Sequence, residues 1–157
     1  QRFGTGPLVA IHISARRPAQ RWPLDRYAAL IREVAAQARV ILLWAPGAKD
    51  DARHPGDDAA AEQILAQTKG AGVIPVATPD LATLIAALAL ADRVICPDGG
   101  AMHLAAALGK PVVALFGDSL IERWRPWGVP YRVVRPESGN LADLPLEPVL
   151  EAWRALG

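Results

Sequence analysis

Asp98-Gly99-Gly100-Ala101-Met102-His103 follows the apolar run Val94-Ile95-Cys96 and precedes the Ala/Leu segment 104–108. The run before it reads as a buried strand and the segment after it as a helix. Two glycines at such a junction let a ligand approach the backbone with no Cβ in the way. The first turn of the helix carries unpaired N–H groups and a partial positive charge, which seats a phosphate or diphosphate. Asp98 and His103 bracket the turn and are placed to orient that ligand. Asp98 also has the chemistry of a helix cap. His103 has no evident partner that would orient it for proton transfer. The stretch therefore predicts a strand, a phosphate-binding turn and a helix, the core of a nucleotide or nucleotide-sugar pocket.

Outward from this turn, apolar runs alternate with helical patterns. Strands are predicted over Leu8–Ile13, Arg39–Ala45, Val73–Val76, Arg93–Cys96, Val112–Phe116 and Tyr131–Val134. Their low charge suits a parallel sheet covered on both faces. One helix begins near Pro23 and carries Leu24, Tyr27, Leu30, Ile31 and Val34 on one side. A second runs over Asp58–Lys69 and stops at Gly70. A third opens at Thr78-Pro79-Asp80, a capping hydroxyl, a first-turn proline and an acid, and reaches Ala91. The last spans Pro145–Leu156, with Leu146, Val149, Leu150 and Trp153 at helical spacing. This alternation predicts an α/β fold, a doubly wound, mostly parallel, Rossmann-like sheet forming one domain over residues 1–157. With spatial order 3-2-1-4-5-6, strands one and four meet at the switch point. The basic loop Ala15–Arg21 then faces the glycine turn across one crevice.

The whole-chain totals narrow the function. At 157 residues the chain is long enough for one domain with a real core. A net charge of +1 makes no general case for nucleic acid or a membrane surface. Cys96 is the single cysteine, so no intrachain disulfide forms, which suits a reducing compartment. The longest apolar run, 81–91, is too short to span a bilayer, and no leader pattern is present. The chain starts at Gln1 and enters its first strand at once, which reads as a piece of a longer protein.

Among the remaining motifs, Arg16, Arg17 and Arg21 crowd the loop after the first strand. Arginine suits phosphate through its paired donors and permanent charge; a solvated basic loop is the plain alternative. The acids and histidine Asp50, Asp51, His54, Asp57 and Asp58 lack the spacing of an EF-hand or a zinc site and read as a solvated loop. No metal and no cofactor is expected. The chain contains no GxGxxG after the first strand, no GxxxxGK[ST] and no GxSxG, which disfavours NAD enzymes, P-loop ATPases and α/β-hydrolases. Five tryptophans flank the predicted loops; core or interface filling is their default, with base stacking as the alternative.

The block from Asp98 through Leu104-Ala-Ala-Ala-Leu-Gly-Lys-Pro-Val-Val-Ala-Leu-Phe-Gly117 resembles the signature of the ADP-heptose:lipopolysaccharide heptosyltransferases, glycosyltransferase family 9. Arg123-Trp-Arg-Pro-Trp-Gly128, Trp22-Pro23 and Thr78-Pro-Asp-Leu81 are similar to further family segments, so the likeness covers nearly the whole chain. The resemblance implies the C-terminal, donor-binding half of a two-domain GT-B enzyme. The other half would hold the acceptor and the catalytic carboxylate, so this chain alone would bind donor without turning it over. The family turn maps onto Asp98, Gly99, Gly100 and His103, with Ala101 and Met102 contributing backbone. Ser14 takes the place of the hydroxyl after the first strand, and Thr78 joins the donor set with its segment. Gln20 or Arg21 takes the place of the basic residue before the Trp-Pro pair. Arg16 completes the expected donor-binding residues.

The chain departs from the family pattern at three points. Gly99 stands where a Ser or Thr is usual. No lysine precedes Trp22, and the ribose-holding acid after the second strand has no clean counterpart, Asp50 or Asp51 being the nearest. The implied partners are a nucleotide-sugar donor, the N-terminal acceptor domain and a saccharide or lipid-linked acceptor, with no nucleic acid. The implied place is the cytoplasm, peripheral at the inner face of the bacterial inner membrane. A stand-alone nucleotide-binding module without transfer activity is the alternative. The outer side of the last helix is expected to carry extra apolar surface for the other domain.

Overall fold

A computed structural model describes residues 6–156. Six strands form one sheet: β1 (Leu8–His12), β2 (Arg39–Trp44), β3 (Ile74–Ala77), β4 (Arg93–Pro97), β5 (Val112–Leu115) and β6 (Tyr131–Val134). Their order is β3-β2-β1-β4-β5-β6, and each of the five pairings is parallel. The fold and strand order match the sequence-based expectation. β1 pairs with β2 from Leu8 opposite Arg39 to His12 opposite Leu43, and with β4 from Val9 opposite Arg93 to Ile11 opposite Ile95.

Alternate side chains of each strand enter opposite layers, so the sheet carries two cores. Val9, Ile11, Val40, Leu42, Ile95 and Val113 face the layer of α1 (Leu24–Ala35), α2 (Asp58–Gln67) and α6 (Leu146–Leu156). Ala10, Ile41, Leu43, Val94, Cys96 and Ala114 face the layer of α3 (Leu81–Leu90) and α4 (Gly100–Ala107). Burial on both faces explains why these strands read as continuous apolar runs. Trp22 fastens the chain entering α1: its indole N–H donates to the Leu144 carbonyl at 2.8 Å, and its ring meets Tyr27 edge-on at 4.9 Å.

Several local details differ from expectation. α3 is capped by Asp80, whose carboxylate accepts the Thr83 N–H at 2.7 Å. Thr78 does not cap it. Its N–H and hydroxyl both donate to the Trp44 carbonyl, at 2.9 and 3.0 Å, because Ala77 is still paired with Trp44 at the end of β3. The structure adds α5 (Ile121–Trp124) and 3-10 turns at Pro18–Gln20 and Leu141–Asp143. The extra apolar surface is not on α6, which buries Val149, Leu150 and Trp153. Exposed large apolar groups lie instead on α3 at Leu81 and Leu90, at Leu108 after α4, and around α5 at Leu120, Trp124 and Trp127. Among the described residues, no helix is long and apolar enough to cross a membrane.

Candidate functional site

All six strands run the same way, so the loops leaving their C-terminal ends share one rim. The chain leaves β1 toward α1 on one layer and leaves β4 toward α4 on the other. The two loops therefore part and leave a crevice, the site expected at a switch point. A cleft of about 510 Å³ opens there. Ser14, Arg16, Arg17 and Gln20 line it from the loop after β1, and Asp98, Gly99 and Gly100 from the turn after β4. A third wall comes from the loop after β2, from which the resemblance implied only a ribose-holding acid: Ala45, Arg53, His54, Pro55 and Asp57.

The floor is set by α4. Its cap position is Gly99, and no side chain caps the helix; Asp98 does not serve that role. The first N–H groups of a helix have no carbonyl behind them, so this end presents uncompensated donors. A Cβ built on Gly99 or Gly100 meets no protein atom within 4 Å. Nothing in the fold itself demands glycine at either position; the space they leave belongs to the cleft. Asp98 is half-buried, and its N–H donates to the Leu115 carbonyl at 2.9 Å, which holds the turn against β5.

The β1 loop is locked to the loop after β5. Buried Gln20 accepts the Gly117 N–H at 2.8 Å and donates to the Ser119 hydroxyl at 2.8 Å. A Cβ on Gly117 would lie 2.4 Å from the Ala19 carbonyl oxygen, so the two loops touch main chain to main chain. Arg17 pairs with Asp118 at 2.8 Å and donates to Ser119 at 2.8 Å. Ser14 accepts the Ala45 N–H at 2.9 Å, tying the β1 end to the β2 end.

The loop after β2 is built on a close glycine contact. A Cβ on Gly56 would stand 2.3 Å from the carbonyl carbon and oxygen of Gly47. Asp58 accepts the Trp44 indole N–H at 2.8 Å and the Gly47 N–H at 3.0 Å; the Trp44 bond first, then Gly47, holds its carboxyl below the usual range. Asp51 accepts the N–H groups of Arg53 and His54 at 2.8 and 2.9 Å. These bonds, led by that of His54, also hold its carboxyl below the usual range. Asp50 and Asp51 do not line the cleft. The acid from this loop that does is Asp57, buried and 3.5 Å from Arg21. The acids of this segment are thus spent on separate tasks.

The expected donor residues divide into two groups. Ser14, Arg16, Gln20, Asp98, Gly99 and Gly100 come together around the cleft. Arg21 borders a neighbouring cavity of about 340 Å³. Thr78 is buried against Trp44. The side chains of Ala101 and Met102 are buried in the core, which leaves their backbone to face the helix end. His103 is exposed outside the cleft lining, its ring centroid 6.2 Å from that of Trp124. His12, which sequence reasoning passed over, is buried at the end of β1 with Nδ1 unpartnered, and burial pulls its pKa down to about 4.

The sequence profile of Glycosyltransferase family 9 (heptosyltransferase) matches residues 1–153. The lipopolysaccharide heptosyltransferase 2 of Escherichia coli strain K12 is 30% identical over 154 residues, covering 88% of this chain and 43% of that protein. Its Salmonella typhimurium counterpart is 30% identical over 122 residues, covering 78% of this chain and 34% of its own length. The chain therefore spans less than half the length of these curated relatives. Among solved structures, the E. coli ADP-heptose lps heptosyltransferase II superposes with a TM-score of 0.78 at 30% identity, covering 96% of this chain and 46% of that one. E. coli heptosyltransferase WaaC with ADP gives a TM-score of 0.80 at 22% identity, covering 97% and 45%, a likeness of fold. With the profile matched over nearly its whole length and the fold shared with solved members, the chain belongs to glycosyltransferase family 9, the heptosyltransferases.

Proposed function

We propose that this chain is the donor-binding half of an inverting heptosyltransferase, holding the nucleoside diphosphate of ADP-heptose or a related nucleotide sugar in the cleft between β1 and β4. The observation that carries this reading is the uncapped end of α4 opening, beside two glycines with free space above them, into a cleft lined by arginines. ADP-heptose is the donor named for a solved relative of 30% identity.

In this reading the diphosphate rests on the first-turn N–H groups of α4, and Asp98 accepts hydrogen bonds from sugar hydroxyls. Asp57, the acid that reaches the cleft, is the ribose-side carboxylate. An acceptor hydroxyl attacks the anomeric carbon from the face opposite the diphosphate, the bond to the phosphate oxygen breaks, and the nucleoside diphosphate leaves with the bonding electrons. Donors already aimed at the phosphates stabilise the charge that grows on that leaving group, with no reorganisation at the moment of reaction and no metal required. The base that takes the acceptor proton sits on the acceptor-binding half of the two-domain enzyme. The chain by itself binds donor and does not transfer it. The acceptor is a lipopolysaccharide-core or other saccharide, reached from the cytoplasmic face of the inner membrane.

Titration calorimetry of the chain with ADP, UDP and GDP tests the reading. Binding of ADP in preference to the other two is expected. Preference for UDP or GDP would change the donor, and binding of none would overturn the reading.

A further inference from the structure

We propose that the cation pair gripping the donor diphosphate is Arg16 with Arg53, one from each lip of the cleft, and that the loop after β2 is the second half of the phosphate grip. The inference rests on the donor-binding reading above and adds the residues that supply its charge.

Before the Trp22-Pro23 pair the chain carries Gln20 and Arg21. Gln20 is uncharged, buried, and committed at both ends of its amide to Gly117 and Ser119. Arg21 pairs with Asp57 at 3.5 Å and borders the neighbouring cavity. Arg17 lines the cleft but is held by Asp118 at 2.8 Å and by Ser119. Two arginines remain in the lining, Arg16 and Arg53, and neither side chain has a hydrogen-bond or carboxylate partner among the described residues. The lining carboxylates are Asp57, already paired with Arg21, and Asp98, beside the glycine turn. A diphosphate seated on the first turn of α4 lies near the charge of Asp98, and the two free guanidiniums on the facing lips supply the cations that offset both charges. Each can donate paired hydrogen bonds to phosphoryl oxygens.

The placement of Arg53 is built into the fold. Asp51 accepts its N–H at 2.8 Å and that of His54 at 2.9 Å. The loop closes at its base where Gly56 packs on Gly47 and donates its N–H to the Ala48 carbonyl at 2.9 Å. Asp57 donates its own N–H to the Ala45 carbonyl at 2.8 Å. A loop fixed at its root and turned by Asp51 carries Arg53 and His54 to the cleft wall.

The test is calorimetric titration of the chain and of Arg16→Ala and Arg53→Ala with two probes, ADP and inorganic pyrophosphate. Both arginines are exposed, so neither substitution removes core packing. Arg132→Ala, at an exposed residue of β6 away from the cleft lining, controls for net charge. Each cleft variant is expected to bind both probes about tenfold or more weakly, with Arg132→Ala unchanged. Raised salt should weaken the parent more than either variant. Pyrophosphate binding that depends on both arginines, in a chain that ignores ADP, would sink the ADP-donor reading and keep the arginine pair. Parent-like affinity for pyrophosphate and ADP in either variant overturns the pair whatever nucleotide is preferred. A parent that binds neither probe overturns both.

Discussion

Gln20 Oε1 accepts the main-chain N–H of Gly117 at 2.8 Å, joining residues 97 apart in the chain. The bond crosses the rim of the sheet and fixes the β1 loop, which carries Arg16 and Arg17, against the loop after β5. Both groups are buried, so loss of the amide strands the Gly117 donor without water to replace it. Gln20→Ala should lower unfolding stability by about 2 kcal/mol, read from the urea midpoint. It should also weaken nucleotide binding, since the loop that lines the cleft loses its anchor. A midpoint equal to that of the parent would show that the bond does not hold the rim.

His12 gives the fold a pH dependence of definite sign. Burial lowers its pKa from 6.5 to about 4, so the native state keeps it neutral while the unfolded chain takes up a proton. Between those values the unfolded state binds more protons, and stability falls as pH drops. From pH 7 to pH 5 this one group accounts for a loss of about 2 kcal/mol, which grows further and levels off only below about pH 4. Urea titrations of the parent and of His12→Gln at both pH values check it. The substitution should remove most of that difference, and an unchanged difference would assign it to other groups.

Cys96 should be chemically silent in the folded chain. It lies fully buried in β4, and burial first, then the charge of Asp98, pushes its thiol well above the usual range. Thiolate is the reactive form, so neither access nor ionisation favours attack. A chromogenic disulfide reagent at pH 8 should label the thiol on the timescale of global unfolding and at once in strong denaturant. Rapid stoichiometric labelling of the native chain would contradict its placement.

Much of this arrangement was legible in the residues. Runs such as Val94-Ile95-Cys96 and Val112–Phe116 lie between two covering layers, so they are apolar without alternation, and helical segments between them impose parallel pairing. The crevice beside Asp98-Gly99-Gly100 follows from that order. What escaped was set by contacts between distant backbones. Arg53, His54 and Asp57 sit in a polar stretch that reads as solvated; the Gly47–Gly56 packing and the Asp51 turn that bring it to the cleft leave no periodic trace. His103 shares a turn with Gly99 and Gly100, yet its side chain leaves the helix beside Trp124, on a short α5 that no periodicity announces. Thr78 reads as the cap of α3 and Asp80 as a first-turn acid; pairing of Ala77 with Trp44 holds Thr78 on the strand end and leaves the cap to Asp80.

Gly100→Leu tests the central claim most directly, because fold and ligand ask opposite things of that position. Gly100 is the first residue of α4, and a Cβ there meets no protein atom within 4 Å. Leucine is the better helix former by up to about 0.8 kcal/mol, so the variant should melt at or above the parent temperature. Its side chain would occupy the space assigned to the diphosphate. Calorimetric titration with ADP should show binding by the parent and at least a tenfold weaker Kd for the folded variant. Equal ADP affinity in the two proteins would contradict a phosphate seat at the start of α4.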